Sequence, residues 1–267
     1  MNGSASDSHD FQRVYVWEQP VRWFHWINAV CIVTLGVTGW MIAHPPALMN
    51  ANEASFSYWF GTVRFVHFVA AYLLLVNFVF RLYWSVMGNK YANWRNFFPL
   101  TKAQLKQIGD VLKVDVLQFS NKPVETLGHN SMAYFTYTAT GLLTIFQILT
   151  GFALYAPTSA AWFPQLFTWV TPLFGSEYNV RIFHYAALWL FVVFTIVHVY
   201  LVFYHDYVEG HGVISSIVGG WKFMEKNQMA AEQATGMSPF PWRQHRKAKQ
   251  SKGILLVDSR AHLTHQG

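Results

Sequence analysis

The chain has 267 residues, 53% hydrophobic and 18% aromatic, with a net charge of +6 but only 12% charged side chains. That charged share is about half of what a soluble domain carries, so the composition is that of a membrane protein. The single cysteine, Cys31, excludes a C-x-x-C-H attachment for covalent haem, an iron–sulfur cluster held by this chain and an intrachain disulfide.

Residues 1–20 are polar and lack a short apolar core followed by a small-residue cleavage site, so they read as an N-terminal segment that stays where it is made. Four apolar stretches follow, 21–43, 62–87, 132–156 and 182–204. Each exceeds or approaches the roughly 20 helical residues that cross a bilayer. The loops 44–61 and 157–180 contain no Lys or Arg, whereas 88–130 carries Lys90, Arg95, Lys102, Lys106, Lys113 and Lys122, and the tail from 209 carries eight more. By the positive-inside rule both termini and the middle loop are cytoplasmic. Because these basic residues flank spans, they point to lipid headgroups and not to nucleic acid.

Within the middle loop, Leu105, Ile108, Leu112, Val116 and Phe119 recur at helical spacing beside lysines, the pattern of an amphipathic helix on the inner membrane face. The outer loop 157–180, rich in Trp, Phe and Pro, suits interfacial anchoring or docking of a partner. A weaker pattern, Ile214, Ile217, Val218 and Trp221, follows the fourth span, and 228–267 is a basic tail expected to lack order. The folded part is thus one membrane domain, 21–227.

Four histidines lie inside the spans: His25, His67, His184 and His198. An imidazole moved into hydrocarbon loses its bonds to water and needs a partner, so such residues signal function by default. His184 and His198 are fourteen residues apart on one helix, about 21 Å in rise with roughly 40° of angular offset. They share a face at opposite depths, so one metal cannot reach both. Depth then assigns the partners: His25 is level with His198 on the cytoplasmic side, and His67 with His184 on the outer side. Two imidazoles without carboxylate or thiolate neighbours suit haem iron better than zinc or copper, which take three or four protein ligands. Filling both axial positions favours electron transfer over substrate binding.

Arg22, Arg64 and Arg181 each precede one of these histidines by three residues, on the same helix face and one turn nearer the membrane surface. A guanidinium there suits a haem propionate; arginines snorkelling at span ends are the competing reading. Gly36 and Gly39 follow His25 on nearly its face, about 16 to 21 Å deeper, where a porphyrin would need a gap. Close helix packing explains small residues equally well.

These residues resemble the b-type cytochrome subunit of membrane-bound nickel–iron uptake hydrogenases, a relative of the formate dehydrogenase cytochrome b subunit. The matching pieces are Pro20 to Asn28 (PVRWFHWIN), Arg64 to Tyr72 (RFVHFVAAY), Arg81 to Trp84 (RLYW), Gly128-His129-Asn130, Val180 to His184 (VRIFH) and Val197 to Tyr200 (VHVY). The resemblance runs from residue 13 to about 225 and leaves the last forty residues uncovered. It implies an all-α membrane protein of the bacterial inner membrane, a four-transmembrane-helix bundle enclosing two haem b groups on the four histidines already singled out. It also implies partners, the small and large subunits of a periplasm-facing nickel–iron hydrogenase, and quinone as the electron acceptor. Gly128-His129-Asn130 looks like the family's quinone-site motif, and Tyr200 lies on the same side of the membrane; His129 titrates in a range suited to proton relay. A polar interfacial residue before a helix is the other reading of His129. The chain itself has no cysteine set for activating hydrogen, so it would act as an electron-transfer and quinone-reducing subunit. Alternatives are the cytochrome b subunit of formate dehydrogenase or a similar oxidoreductase, a haem-free proton-relay membrane protein, and a purely structural anchor.

Overall fold

A computed structural model of the chain describes residues 11–45, 58–89, 92, 131–209 and 212–225. It begins with strand β1 (Phe11–Tyr15), then helices α1 (Gln19–Ala43), α2 (Trp59–Met87) and α3 (Ser131–Tyr155). Two short helices, α4 (Trp162–Gln165) and α5 (Val170–Leu173), precede the long α6 (Glu177–Glu209), and α7 (Val213–Gly219) leads into strand β2 (Trp221–Glu225). Four of these helices, α1, α2, α3 and α6, are long and apolar enough to cross a membrane. They correspond to the four stretches read from hydropathy. At 33 residues α6 is the longest; it rises about 50 Å against a hydrocarbon core of about 30 Å, so its ends extend past the apolar layer. Hydropathy alone stops short of those ends because they carry Glu177, Asp206 and Glu209.

The helix ends follow local chemistry. Pro20 occupies the first turn of α1, where its missing N–H leaves no bond unmade. Gly88 closes α2, and Pro157 falls in the 3-10 turn, Ala156–Thr158, that follows α3. In packing, α1 lies along α2 and α3 along α6, while α1 also touches α6. The bundle is apolar outside and mixed inside: Thr38, Asn77, Arg81, Ser85, Thr144 and Thr150 are buried beside Leu74, Phe152 and Phe191, while Val30, Val76, Leu142, Ile196 and many like them are exposed. Lipid gives apolar side chains no reason to turn inward, so small and hydrogen-bonding residues do the joining.

The small antiparallel sheet is an addition to the all-helical expectation. β1 pairs with β2, Phe11 opposite Glu225 and Tyr15 opposite Trp221. The segment before the first span and the segment after the fourth are therefore at one end of the bundle. Trp221, read from sequence as the tail of an amphipathic helix, instead opens β2, because Gly220 turns the chain at φ +87°. Its carbonyl accepts the N–H groups of Val16 and Trp17 at 2.9 and 3.2 Å. The expected amphipathic helix 105–119 and the tail from 228 lie outside the described residues.

Glu18 ties this end together. Its Oε2 accepts the indole N–H of Trp84 and the backbone N–H of Asn89, both at 3.0 Å. Asn89 Nδ2 donates to the Val16 carbonyl at 3.0 Å, and Arg81 donates to the Ala92 carbonyl at 3.1 Å. Glu18→Ala strands two donors at once and is expected to cost about 1–3 kcal/mol, read as a lower melting temperature of the detergent-solubilised chain with an altered tryptophan emission; an unchanged melt would contradict the tie.

Candidate functional site

The four histidines come together in pairs at the two ends of the bundle. His25 on α1 faces His198 on α6, ring centroids 6.3 Å apart and planes inclined by 49°. A metal held between two imidazoles at about 2.0 Å from each nitrogen separates the ring centres by roughly 6 Å, so this spacing admits one ion. His25 Nδ1 is buried and has no hydrogen-bond partner. At the other end His67 on α2 and His184 on α6 are close enough to interact electrostatically. Among the described residues there is no cluster of three or more His, Cys, Asp or Glu able to hold a metal. The donor set is two imidazoles at each level, which fits an iron whose other positions are filled by a porphyrin better than it fits a bare ion.

Neighbouring helices hold each pair. Asn77 Nδ2 on α2 donates to the carbonyl of Phe24, one residue before His25, at 3.1 Å, and the Arg81 guanidinium lies 5.5 Å over the Phe24 ring. On the other side of the bundle Gln147 Nε2 on α3 donates to the carbonyl of His184 at 3.1 Å. The ring nitrogens are also taken up: Thr38 Oγ1 lies 2.8 Å from His67 Nδ1, and Thr150 Oγ1 lies 2.8 Å from His184 Nδ1. Phe194 stacks on His198 at 5.5 Å, and Trp26 stands edge-on to His25 at 5.2 Å.

Sequence reasoning did not find Thr38, Asn77, Gln147, Thr150 or Gly151. Asn77 and Arg81 carry a visible signal, polarity in the middle of an apolar span; threonine carries none on a hydropathy scale. The expected glycine gap is met in part. A Cβ on Gly39 would stand 3.3 Å from His67 Cε1, and one on Gly151 would stand 3.1 Å from His184 Cε1, whereas Gly36 faces the side chain of Leu188.

Each of the three arginines has a protein partner. Arg22 Nη1 donates to the Val218 carbonyl while its Nε is buried and unpaired. Arg64 lies over the Phe68 ring at 5.9 Å, and Arg181 pairs with Glu177 one turn earlier at 2.7 Å. Tyr200 is half exposed and stacks on Tyr204 at 6.0 Å. Two residues along a helix is about 200° of rotation, so it stands on the opposite face of α6 from His198. His129 and Asn130 lie outside the described residues.

The His184 ring has little freedom to yield, being bonded through Nδ1 to Thr150 and through its backbone carbonyl to Gln147. Gly151→Ala is therefore expected to be destabilising by about 1–3 kcal/mol, Gly39→Ala by less. Gly141→Ala, with nothing near its Cβ, is expected to be neutral or stabilising by up to about 1 kcal/mol. Thermal unfolding of the three variants side by side checks the order; equal melts would contradict the close approach.

Residues 16–220 match the family described as prokaryotic cytochrome b561. Among similar proteins, the probable Ni/Fe-hydrogenase B-type cytochrome subunit of Cupriavidus necator is 36% identical over 224 residues, covering 82% of this chain and 91% of that protein. The protein of that name from Azotobacter vinelandii is 38% identical over 221 residues, covering 80% and 90%. The probable Ni/Fe-hydrogenase 1 B-type cytochrome subunit of Escherichia coli K12 is 31% identical over 213 residues, covering 78% and 90%.

Proposed function

The chain belongs to the prokaryotic cytochrome b561 family, and on that premise we propose that it is the dihaem b-type cytochrome subunit of a nickel–iron hydrogenase. In this reading it carries electrons from periplasmic small and large hydrogenase subunits across the bacterial inner membrane to quinone. The observation that carries the proposal is the approach of His25 to His198 at 6.3 Å, with a buried ring nitrogen that the protein leaves unpaired. Support for the hydrogenase partner comes from the names of the relatives, each a hydrogenase cytochrome subunit.

His25 and His198 would hold one haem at the end of the bundle that carries the β1–β2 sheet, and His67 and His184 the other at the opposite end. Bound there, the two groups supply one-electron carriers at two depths of the membrane. The chain's own part is geometric and electrostatic. α6 fixes the spacing between the two levels, because both of its histidines share a face. Asn77 ties α2 to α1 beside His25, and Gln147 ties α3 to α6 at His184, each by bonding a backbone carbonyl.

In this reading quinone is reduced on the cytoplasmic side by a site that includes His129, Asn130 and Tyr200, with His129 supplying protons. Arg22, Arg64 and Arg181 would face propionates on exchange of their present partners, and Gly39, against His67, would border the outer haem.

His25→Ala and His67→Ala are each expected to lower the haem content from two per chain to one, with the remaining haem still reducible. Haem assay of the purified variants reads this directly. Loss of both groups from either variant with the fold intact, or loss of neither, would contradict the two-level arrangement.

A further inference from the structure

We propose that Thr38 and Thr150 are positioning residues that fix the tautomer of His67 and His184 and hold the potential of the outer haem below what the same two histidines would give unaided. The inference rests on the reading of His67 and His184 as the axial ligands of one haem.

A threonine hydroxyl has one proton. Thr38 Oγ1 lies 2.6 Å from the Thr34 carbonyl on its own helix, and Thr150 Oγ1 lies 2.7 Å from the Phe146 carbonyl. Carbonyl oxygens only accept, so the hydroxyl proton is committed to them in both cases. The contact at 2.8 Å to each histidine Nδ1 is then a bond in which the ring N–H donates and the hydroxyl accepts. That assignment puts the proton on Nδ1 and leaves Nε2 with its lone pair, the form that ligates a metal. Thr38 and Thr150 are 7% and 1% exposed, so water does not compete for these bonds.

The arrangement occurs twice with the same parts. α1 presents Thr38-Gly39 to the histidine of α2, and α3 presents Thr150-Gly151 to the outer histidine of α6. In each case the threonine binds the ring at Nδ1 while the following glycine lets the helix backbone close on Cε1 of the same ring. The inner level is built differently, since His25 Nδ1 has no acceptor. An acceptor on the distal N–H makes an imidazole more basic, which favours the ferric over the ferrous state of an iron it ligates.

The test is a redox titration of the full detergent-solubilised chain, followed by visible absorption and low-temperature electron paramagnetic resonance, for wild type, Thr38→Val, Thr150→Val and the double variant. One of the two midpoints is expected to move to more positive potential, the low-spin signal of the same haem to change, and the other haem to serve as an unmoved internal reference. Thr38→Ser and Thr150→Ser are expected to restore wild-type values. Loss of the outer haem alone, restored by serine, supports the positioning role, and Thr38→Ala and Thr150→Ala then supply the midpoint that tests the potential. Midpoints and signals identical to wild type would overturn it while leaving the ligand assignment intact. Should the valine variants be recovered with neither haem, Thr38→Ala and Thr150→Ala, which relieve any crowding, are titrated in their place under the same criterion. A wild-type chain with no second haem, or His67→Ala retaining both, would instead remove the reading on which the inference rests.

Discussion

A neutral imidazole inside an apolar bundle has two nitrogens to satisfy and no water to do it. One nitrogen donates and the other accepts, and leaving either unpaired in a low-dielectric interior costs free energy on the scale of a lost hydrogen bond. The interior of this bundle is arranged around that constraint. At the His67/His184 level the donor nitrogen of each ring is absorbed by a threonine on the adjacent helix, so only the acceptor nitrogen remains for a ligand. At the His25/His198 level a buried nitrogen stays unpaired while a second imidazole stands 6.3 Å away. The unpaired nitrogen of His25 and the pairing of imidazoles at both levels are the physical basis for reading them as cofactor sites.

The rest of the fold serves to keep those distances. Packing in lipid lacks the hydrophobic driving force that squeezes a soluble core, so relative helix positions are set by specific bonds and by small residues at close approaches. Asn77 and Gln147 act as brackets between helix pairs, and Gly39 and Gly151 let backbones come within contact of imidazole rings. Glu18, Trp84, Asn89 and the β1–β2 sheet close one end, fixing where α1 starts relative to α2 and where the chain leaves α6. An exterior of Val, Leu, Phe and Trp completes the inside-out pattern.

Much of this was legible in the sequence because it depends on short-range counting. Apolar run length gave the four long helices, and the fourteen-residue interval on α6 with the alternating direction of the spans brings His25 opposite His198 and His67 opposite His184. That counting reaches proximity and stops before ligation. Gly39 was found by the same arithmetic, whereas Gly36, on an adjoining part of the face, meets Leu188. Thr38 and Thr150 were missed for a physical reason: a hydroxyl that bonds its own helix carbonyl looks like any membrane threonine until the neighbouring helix is in register. The β1–β2 pairing joins segments about two hundred residues apart, and nothing local in FQRVY or WKFME encodes that partner. Arg181, three residues before His184, was read for its spacing, but the nearer Glu177 takes its guanidinium.

The central claim is that one chain holds two haems, each between two helices at its own depth. Haem content and an equilibrium redox titration of the isolated full chain test it together. The account predicts two b haems per chain, titrating as two one-electron steps with distinct midpoints. A single haem per chain, or no b-type absorption on reduction, would contradict it.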